Sequence, residues 1–422
     1  MDKVLIITYY WPPSGGAGVQ RWLKFSKYLP GYGWEPVILT VIPEYASYPA
    51  IDHSLEKEIP DKTRVYRTKA TDWFRFYGRG KKNVPTAGFA KNDDNSFKGR
   101  ISRFIRGNFF VPDPRRGWNK FAIRKSSELI SREHIMHLVT SSPPHSTQLI
   151  GLKLKKKFPF LKWIADLRDP WTDIYYYDKF YPGFLARILD LRYERNVLKR
   201  SDRIITVGKS LKKSFSEITK GIEDKITVVT NGYDESDRFE ITAEPPAKKA
   251  ITYVGTISES YPVAGLISAL KNLSRDKVDF TIQFAGDISD IIKESIKREL
   301  AATSVEFIPY MDHETAVRFI MESSILVLII PDHRSNKSIL TGKLFEYLAS
   351  GNHILCLGPA DGDAADIIDR ANAGRTFEYY DIEGISGFLI WSSTHPANPD
   401  MEYVKEFSRF KLTEKLLPIL ME

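Results

Sequence analysis

The chain has 422 residues, enough for two or three domains, and its 42% hydrophobic content with 24 Phe, 21 Tyr and 8 Trp provides for sizeable cores. Its single cysteine, Cys356, lies in an apolar run, which excludes a disulfide framework and points to a reducing compartment; Cys and His at metal-ligand spacing are missing too. The formal net charge of +8 is unevenly placed.

Met1-Asp2-Lys3 leads straight into an apolar strand, Val4–Tyr10, with no signal-peptide pattern. The glycine-rich loop Pro12–Gly18 follows, then a helix with apolar positions Val19, Trp22, Leu23 and Leu29. Strand, glycine loop and helix open a Rossmann-like unit. The third glycine of a dinucleotide fingerprint is replaced by Arg21, and the next strand, Pro36–Val41, does not end on an acid that would hold a ribose. A nicotinamide or flavin cofactor is therefore not expected, and the loop reads equally as a plain glycine turn.

Residues 78–100 are polar, basic and aperiodic, and read as a flexible insertion. From Arg75 to Lys125 there are 14 Lys and Arg against three acids, interleaved with or just preceded by aromatics that include Trp73, Phe74, Phe104, Phe109 and Trp118. Such a surface suits an anionic membrane or a polyanionic acceptor, or is simply a solvated face; nucleic-acid binding is not expected, because no recognition module accompanies it. Gly117–Glu133 reads as a helix and Met136–Thr140 as a strand ending on Ser141 and Ser142. His145 stands at the start of a helix, Ser146–Lys157. The strand Leu161–Ala165 runs into Asp166, Arg168 and Asp169, charged residues at the strand end where open α/β sheets place ligand contacts. An ion network bracing the loop is the alternative reading. A long helix, Tyr181–Arg200, precedes two further strands within Ser201–Leu211 and Ile226–Asp234.

Phe239–Lys249, with two prolines, reads as a linker. A second βα series follows, with strands at Ile251–Val254, Phe280–Phe284, Val305–Ile308, Ile325–Ile330, Ile354–Leu357 and Thr376–Tyr379, and with Asp287, Asp312 and Asp381 as expected helix caps. Ile325–Ile330, the longest strongly apolar run, is too short to span a bilayer. The chain closes on a helix, Tyr403–Leu420.

Within this second series Ser335–Gly351 reads SNKSILTGKLFEYLASG. Thr341 can cap a helix and Gly351 can end it; Leu344, Phe345 and Leu348 make an apolar face, with Lys343 and Glu346 opposite. The helix opens on Gly342, where no side chain blocks approach to the unpaired N–H groups that attract phosphate. An ordinary packed helix with an exposed Lys343–Glu346 pair is the alternative.

GKLFEYLASG followed by His353–Gly358 resembles the donor-nucleotide segment of retaining glycosyltransferases of family 4, bacterial surface-polysaccharide type. The resemblance implies an α/β GT-B fold: two Rossmann-like domains facing a cleft, residues 1–238 on the acceptor side and 239–400 on the nucleotide-sugar side, with 401–422 crossing back onto the first. It implies that Glu346 holds the ribose of a nucleotide-diphosphate sugar, that Gly16 and Gly18 lie near donor phosphate, and that the end of the Asp166 strand reaches the donor sugar, with Arg168, Asp169 and His145 close by. The first Glu of the family's E-x7-E pattern falls at Ser338, and the Arg and Lys expected after Val254 are absent from Gly255–Tyr261. Arg334, Lys337 and Lys343, with Thr341 and Gly342, are the available diphosphate contacts. The implied protein is a cytoplasmic, metal-independent transferase without a resident cofactor, acting on a glycan or lipid-linked acceptor. A GT-B nucleotide-sugar epimerase and a non-catalytic nucleotide-sugar-binding scaffold are the competing readings.

Overall fold

The structure, a computed structural model, describes residues 1–71, 97–174, 176–237, 249–275, 280–301 and 303–421. Most of the 78–100 insertion and of the linker, with Trp73 and Phe74, lies outside these residues. The chain forms two compact units. One runs to Thr230 and also takes Leu412 onward, and the other spans Asn231–Lys411.

In the first unit β1 (Asp2–Thr8), β2 (Trp34–Val41), β3 (Arg64–Thr68), β4 (His137–Ser142), β5 (Lys162–Leu167), β6 (Arg203–Thr206) and β7 (Ile226–Val228) form a parallel sheet in the order β3-β2-β1-β4-β5-β6-β7. Nearly continuous apolar runs such as VLII are what a strand covered on both faces requires. Val4, Ile6, Ile38, Val139, Ile164 and Ile205 are buried in one core. The end of the chain joins it: Leu412, Leu416, Ile419 and Leu420 belong to the same cluster as Trp22 and Phe25.

In the second unit β8 (Lys249–Val254), β9 (Phe280–Ala285), β10 (Val305–Ile308), β11 (Ile325–Ile329), β12 (His353–Leu357) and β13 (Gly374–Phe377) form a parallel sheet in the order β10-β9-β8-β11-β12-β13. In both sheets the order reverses beside the first strand, between β1 and β4 and between β8 and β11. Those are the switch points where open α/β sheets leave a crevice at their carboxyl ends.

Several elements differ from the sequence reading. β3, RVYRT, is an extra edge strand that its charges concealed. The 97–100 part of the supposed insertion opens a helix, Phe97–Phe109. The long helix starts at Phe184, because Tyr181 is left-handed at φ 48° and Pro182-Gly183 follows. The final helix is broken into Met401–Lys405 and Arg409–Met421: Tyr233 inserts, its N–H donating to Phe407 O and its carbonyl accepting from Arg409 N. Asp312 and Asp381 cap their helices through Thr315 N and Gly384 N, whereas the helix Asp290–Glu299 starts past Asp287, after Ser289, without a side-chain cap.

Candidate functional site

The switch point of the second unit gathers the residues of the GKLFEYLASG segment. β8 pairs with β11 only at Ile251 and Thr252, so the Val254 N–H beyond has no strand partner on that side. It donates instead to the Tyr347 hydroxyl at 3.1 Å, which fastens the helix Gly342–Ser350 to the end of β8. Leu344, Phe345, Tyr347 and Leu348 bury the inner face of that helix, and Gly351 ends it at φ 76°, a conformation that favours glycine.

On the same helix the Lys343 ammonium donates to the Tyr253 hydroxyl at 2.9 Å and lies 4.3 Å from the centre of its ring. The Tyr253 hydroxyl in turn donates to Thr256 O at 2.8 Å, so a neutral phenol both accepts and donates. Burial holds the phenol well above its ordinary pKa. Burial also pushes Lys343 down to about 8, opposed by the nearby Glu346 carboxylate. A Cβ at Gly255, whose φ is 127°, would stand 2.8 Å from the ammonium, so glycine there makes its room.

Thr341 is extended at φ −78°, ψ 149°, and no side chain caps the helix. Its Oγ1 is buried without a hydrogen-bond partner among the described residues. Leu344 N donates to Thr341 O at 3.3 Å, the N–H groups of Gly342 and Lys343 before it have no intrahelical acceptor, and the adjacent ammonium adds positive charge. Glu346, half-buried, accepts no hydrogen bond from any described residue. The arrangement can hold an anion at the helix start and a hydroxyl-bearing group one turn further on. Of the three candidate cations, Lys343 contacts the end of β8; Lys337 is exposed and paired with Asp361, and Arg334 is exposed. Ser338, where the first Glu of the pattern would fall, donates to Ser335 O at 2.9 Å.

The switch point of the first unit is built differently. Asp166, at the end of β5, is fully enclosed. Its carboxylate accepts from Trp22 Nε1 at 2.7 Å, Ser141 Oγ at 2.8 Å and Arg21 Nε at 3.2 Å, and is ion-paired with Arg21 Nη2 at 3.1 Å. Arg21 also donates to Thr230 O at 2.7 Å and Val229 O at 2.9 Å. With Arg21, Trp22 and Ser141 all donating to it, the Asp166 carboxylate works in this structure as a brace. The residue that the sequence reading treated only as a missing glycine is its partner. Arg21 stands four positions before Phe25 on the buried stripe of its helix, with its guanidinium 5.2 Å from that ring's centre; a charge on an apolar stripe was the available signal.

Arg168 links three segments. Its Nε donates to Ser142 O at 2.9 Å and its Nη1 to Gly18 O at 3.0 Å, while Nη2 is buried without a partner among the described residues. Gly16 begins the first helix at φ 88°, and a Cβ at Gly18 would press on the Tyr10 ring at 3.3 Å. Asp169 is half-buried; burial raises its pKa, as does Asp166, against the lowering effect of Arg168. His145 stacks on Trp171 with centroids 4.9 Å apart, and burial pushes it down to about 4, leaving the imidazole neutral at neutral pH. Behind Trp171 lies a pair that sequence reasoning missed: its Nε1 donates to Asp190 at 2.6 Å, and Thr172 Oγ1 donates to Glu194 at 2.6 Å.

No protein-family model matches the chain, and no curated protein does. Solved structures do. A glycosyltransferase from Rickettsia africae ESF-5 is 16% identical, covering 99% of this chain and 97% of its own, with a TM-score of 0.62. Sucrose-phosphate synthase from Thermosynechococcus elongatus is 12% identical, covering 99% and 98%, with a TM-score of 0.65. Anabaena HepE, solved in complex with UDP and glucose, is 11% identical, covering 100% of both chains, with a TM-score of 0.63. At such identities the likeness speaks to architecture: the chain has the GT-B fold, with two Rossmann-like units.

Proposed function

We propose that the protein is a glycosyltransferase that moves a sugar from a nucleotide-diphosphate sugar to a glycan or lipid-linked acceptor, in the retaining manner of family 4 and in the building of a cell-surface polysaccharide. The observation that carries this reading is the Lys343 ammonium held beside Gly255 at the uncapped start of the Gly342–Ser350 helix, one turn before the uncommitted Glu346. In this reading the helix start and Lys343 take the diphosphate and Glu346 takes the ribose hydroxyls. The charge that grows on the departing diphosphate then meets donors and a cation already in place, which is the larger part of what such a reaction needs. The leaving phosphate itself can take the acceptor proton, so an enclosed Asp166 is no obstacle.

A thermal-shift panel of nucleosides, nucleoside diphosphates and nucleotide sugars tests the reading. Ligand at 100 times its Kd stabilises by about 2.7 kcal/mol. The expected result is stabilisation by one nucleoside diphosphate and its sugar conjugates, with slow release of the diphosphate from the conjugate. Stabilisation without any turnover identifies a scaffold, an isomerised nucleotide sugar identifies an epimerase, and no stabilisation by any of the panel overturns nucleotide-sugar binding.

A further inference from the structure

Two helices of the first unit are locked together. The Asn108 side chain donates to Tyr181 O at 3.0 Å and accepts from Gly183 N at 2.7 Å. Gly107 lies so close to Phe180 that a Cβ there would collide with its backbone, and the Arg106 guanidinium covers the Phe180 ring at 4.0 Å. The helix Phe97–Phe109 is thereby fixed against the start of the helix Phe184–Arg200.

The first helix leaves Phe97, Ile101, Phe104 and Phe109 exposed, at 78, 43, 48 and 69%. The second leaves Phe184, Leu185, Ile188 and Leu189 exposed, at 76, 80, 49 and 37%. Single exposed apolar residues are ordinary; eight on two adjoining helices are not. The charges around them are of one sign. The first helix contains no acid, and the acids of the second, Asp190 and Glu194, are 4% and 1% exposed. Lys98, Arg100, Arg187, Arg192, Arg195 and Lys199 are exposed. The acid of the intervening turn, Asp178, is held by Arg187 at 2.7 Å. Arg106 and Arg115, counted in the basic stretch of the sequence, are turned inward on Phe180 and on Tyr9 and Tyr10.

We propose that this paired-helix surface docks on a bilayer rich in anionic lipid, its phenyl and aliphatic side chains entering the boundary between headgroups and acyl chains while the guanidinium and ammonium groups meet lipid phosphates. Exposed Phe, Leu and Ile beside Arg and Lys, without exposed carboxylates on the helices, is the chemistry of helices that lie in that boundary. No helix among the described residues is long and apolar enough to cross a membrane. The surface belongs to the first unit and the Lys343–Glu346 segment to the second, so failure of one reading leaves the other standing.

The test uses the full chain with vesicles of phosphatidylcholine alone and of equimolar phosphatidylcholine and phosphatidylglycerol. Sedimentation is expected with the anionic vesicles and not the neutral ones, and is expected to be lost as salt is raised. Combining Phe184→Ser with Leu185→Ser and Ile188→Ser, and separately Arg100→Glu with Arg187→Glu, should each weaken vesicle binding about tenfold or more. Ile291→Ser, an exposed position of the second unit, should leave it unchanged. A second readout does not depend on how those variants fold. Cys356 is the single cysteine and is buried, so Leu185→Cys accepts a polarity-sensitive dye at one place, and its emission should shift to the blue on anionic vesicles, whereas a dye at Ile291→Cys should not. Equal binding to both vesicle types, no binding at low salt, an unshifted dye at position 185, or self-association that disappears with the serine variants in place of vesicle binding overturns the proposal.

Discussion

The Lys343 ammonium donates to the Tyr253 hydroxyl at 2.9 Å while sitting 4.3 Å from the centre of the same ring. The pair ties the first turn of a helix to the end of β8, and it puts a cation where Gly255–Tyr261 contributes none. A phenol and a ring face offset only part of what an ammonium loses on leaving water, and burial accordingly pushes Lys343 down to about 8.

An incoming diphosphate would supply the missing counter-charge. Lys343→Met should therefore weaken nucleoside diphosphate binding by about 1.5–3 kcal/mol while leaving the bare nucleoside nearly unaffected. The proton is lost as pH rises through about 8, so wild-type affinity for the diphosphate should fall above that pH and the variant should not show this fall. Calorimetric titrations from pH 7 to about 9.5 decide it; the same slope in both proteins would assign the diphosphate to the helix start alone.

Glu346 accepts no hydrogen bond from the described residues and sits one turn inside the helix. Glu346→Ala should cost about 1.5–3 kcal/mol in nucleotide binding, the range of hydrogen bonds to a charged group. A nucleotide without ribose hydroxyls should bind wild type and variant alike. Unchanged affinity of the variant for the ribonucleotide, with the thermal midpoint intact, removes the ribose role.

The second-unit site was legible because its elements are local. The cap position Thr341, Gly342, Lys343 and Glu346 lie within six residues, and one helical period places them. What was not legible is what each side chain meets: Tyr253 is 90 residues from Lys343, and only the way the helix packs on β8 joins them. Strands such as ILVLI announced themselves by continuous apolar runs, whereas β3, RVYRT, hid behind edge charges. The helix Phe184–Arg200 inverts the usual reading outright. Its N-terminal phenyl and aliphatic groups face out and its two carboxylates face in, which no periodicity argument reveals.

Arg21 and Asp166 lie 145 residues apart and are both fully buried. Removing one partner strands the other charge in the interior, so Arg21→Met or Asp166→Asn should each destabilise the first unit by about 3–5 kcal/mol. The double variant should lose less than the sum of the two. Urea unfolding followed by tryptophan fluorescence reads this unit well, because Trp11, Trp22, Trp34, Trp118, Trp163 and Trp171 all belong to it. Additive losses would mean that the ion pair contributes nothing beyond its separate hydrogen bonds.

Asp190 and Glu194 hold the segment after β5 through Trp171 and Thr172, and burial raises them to about 6 and about 7. Unfolded, both titrate at about 4. The folded state therefore binds more protons than the unfolded state between about 4 and 7, and the linkage slope is negative there. Their stabilising contribution is complete below about pH 4, declines as pH rises, and is gone once pH has passed through the folded values. Glu133, held near 2 by Arg132, Arg64 and Lys3 against its burial, acts in the opposite sense, so a single pH profile mixes the two. Glu194→Gln separates them. Gln keeps an oxygen for the Thr172 hydroxyl but does not ionise, so the stability of the variant relative to wild type should rise from pH 4 to pH 7 and level off above it. Each pKa unit corresponds to about 1.4 kcal/mol, which places the change within reach of urea titrations at a few pH values. A difference between variant and wild type that stays flat across that window would mean that Glu194 ionises as readily in the folded chain as in water.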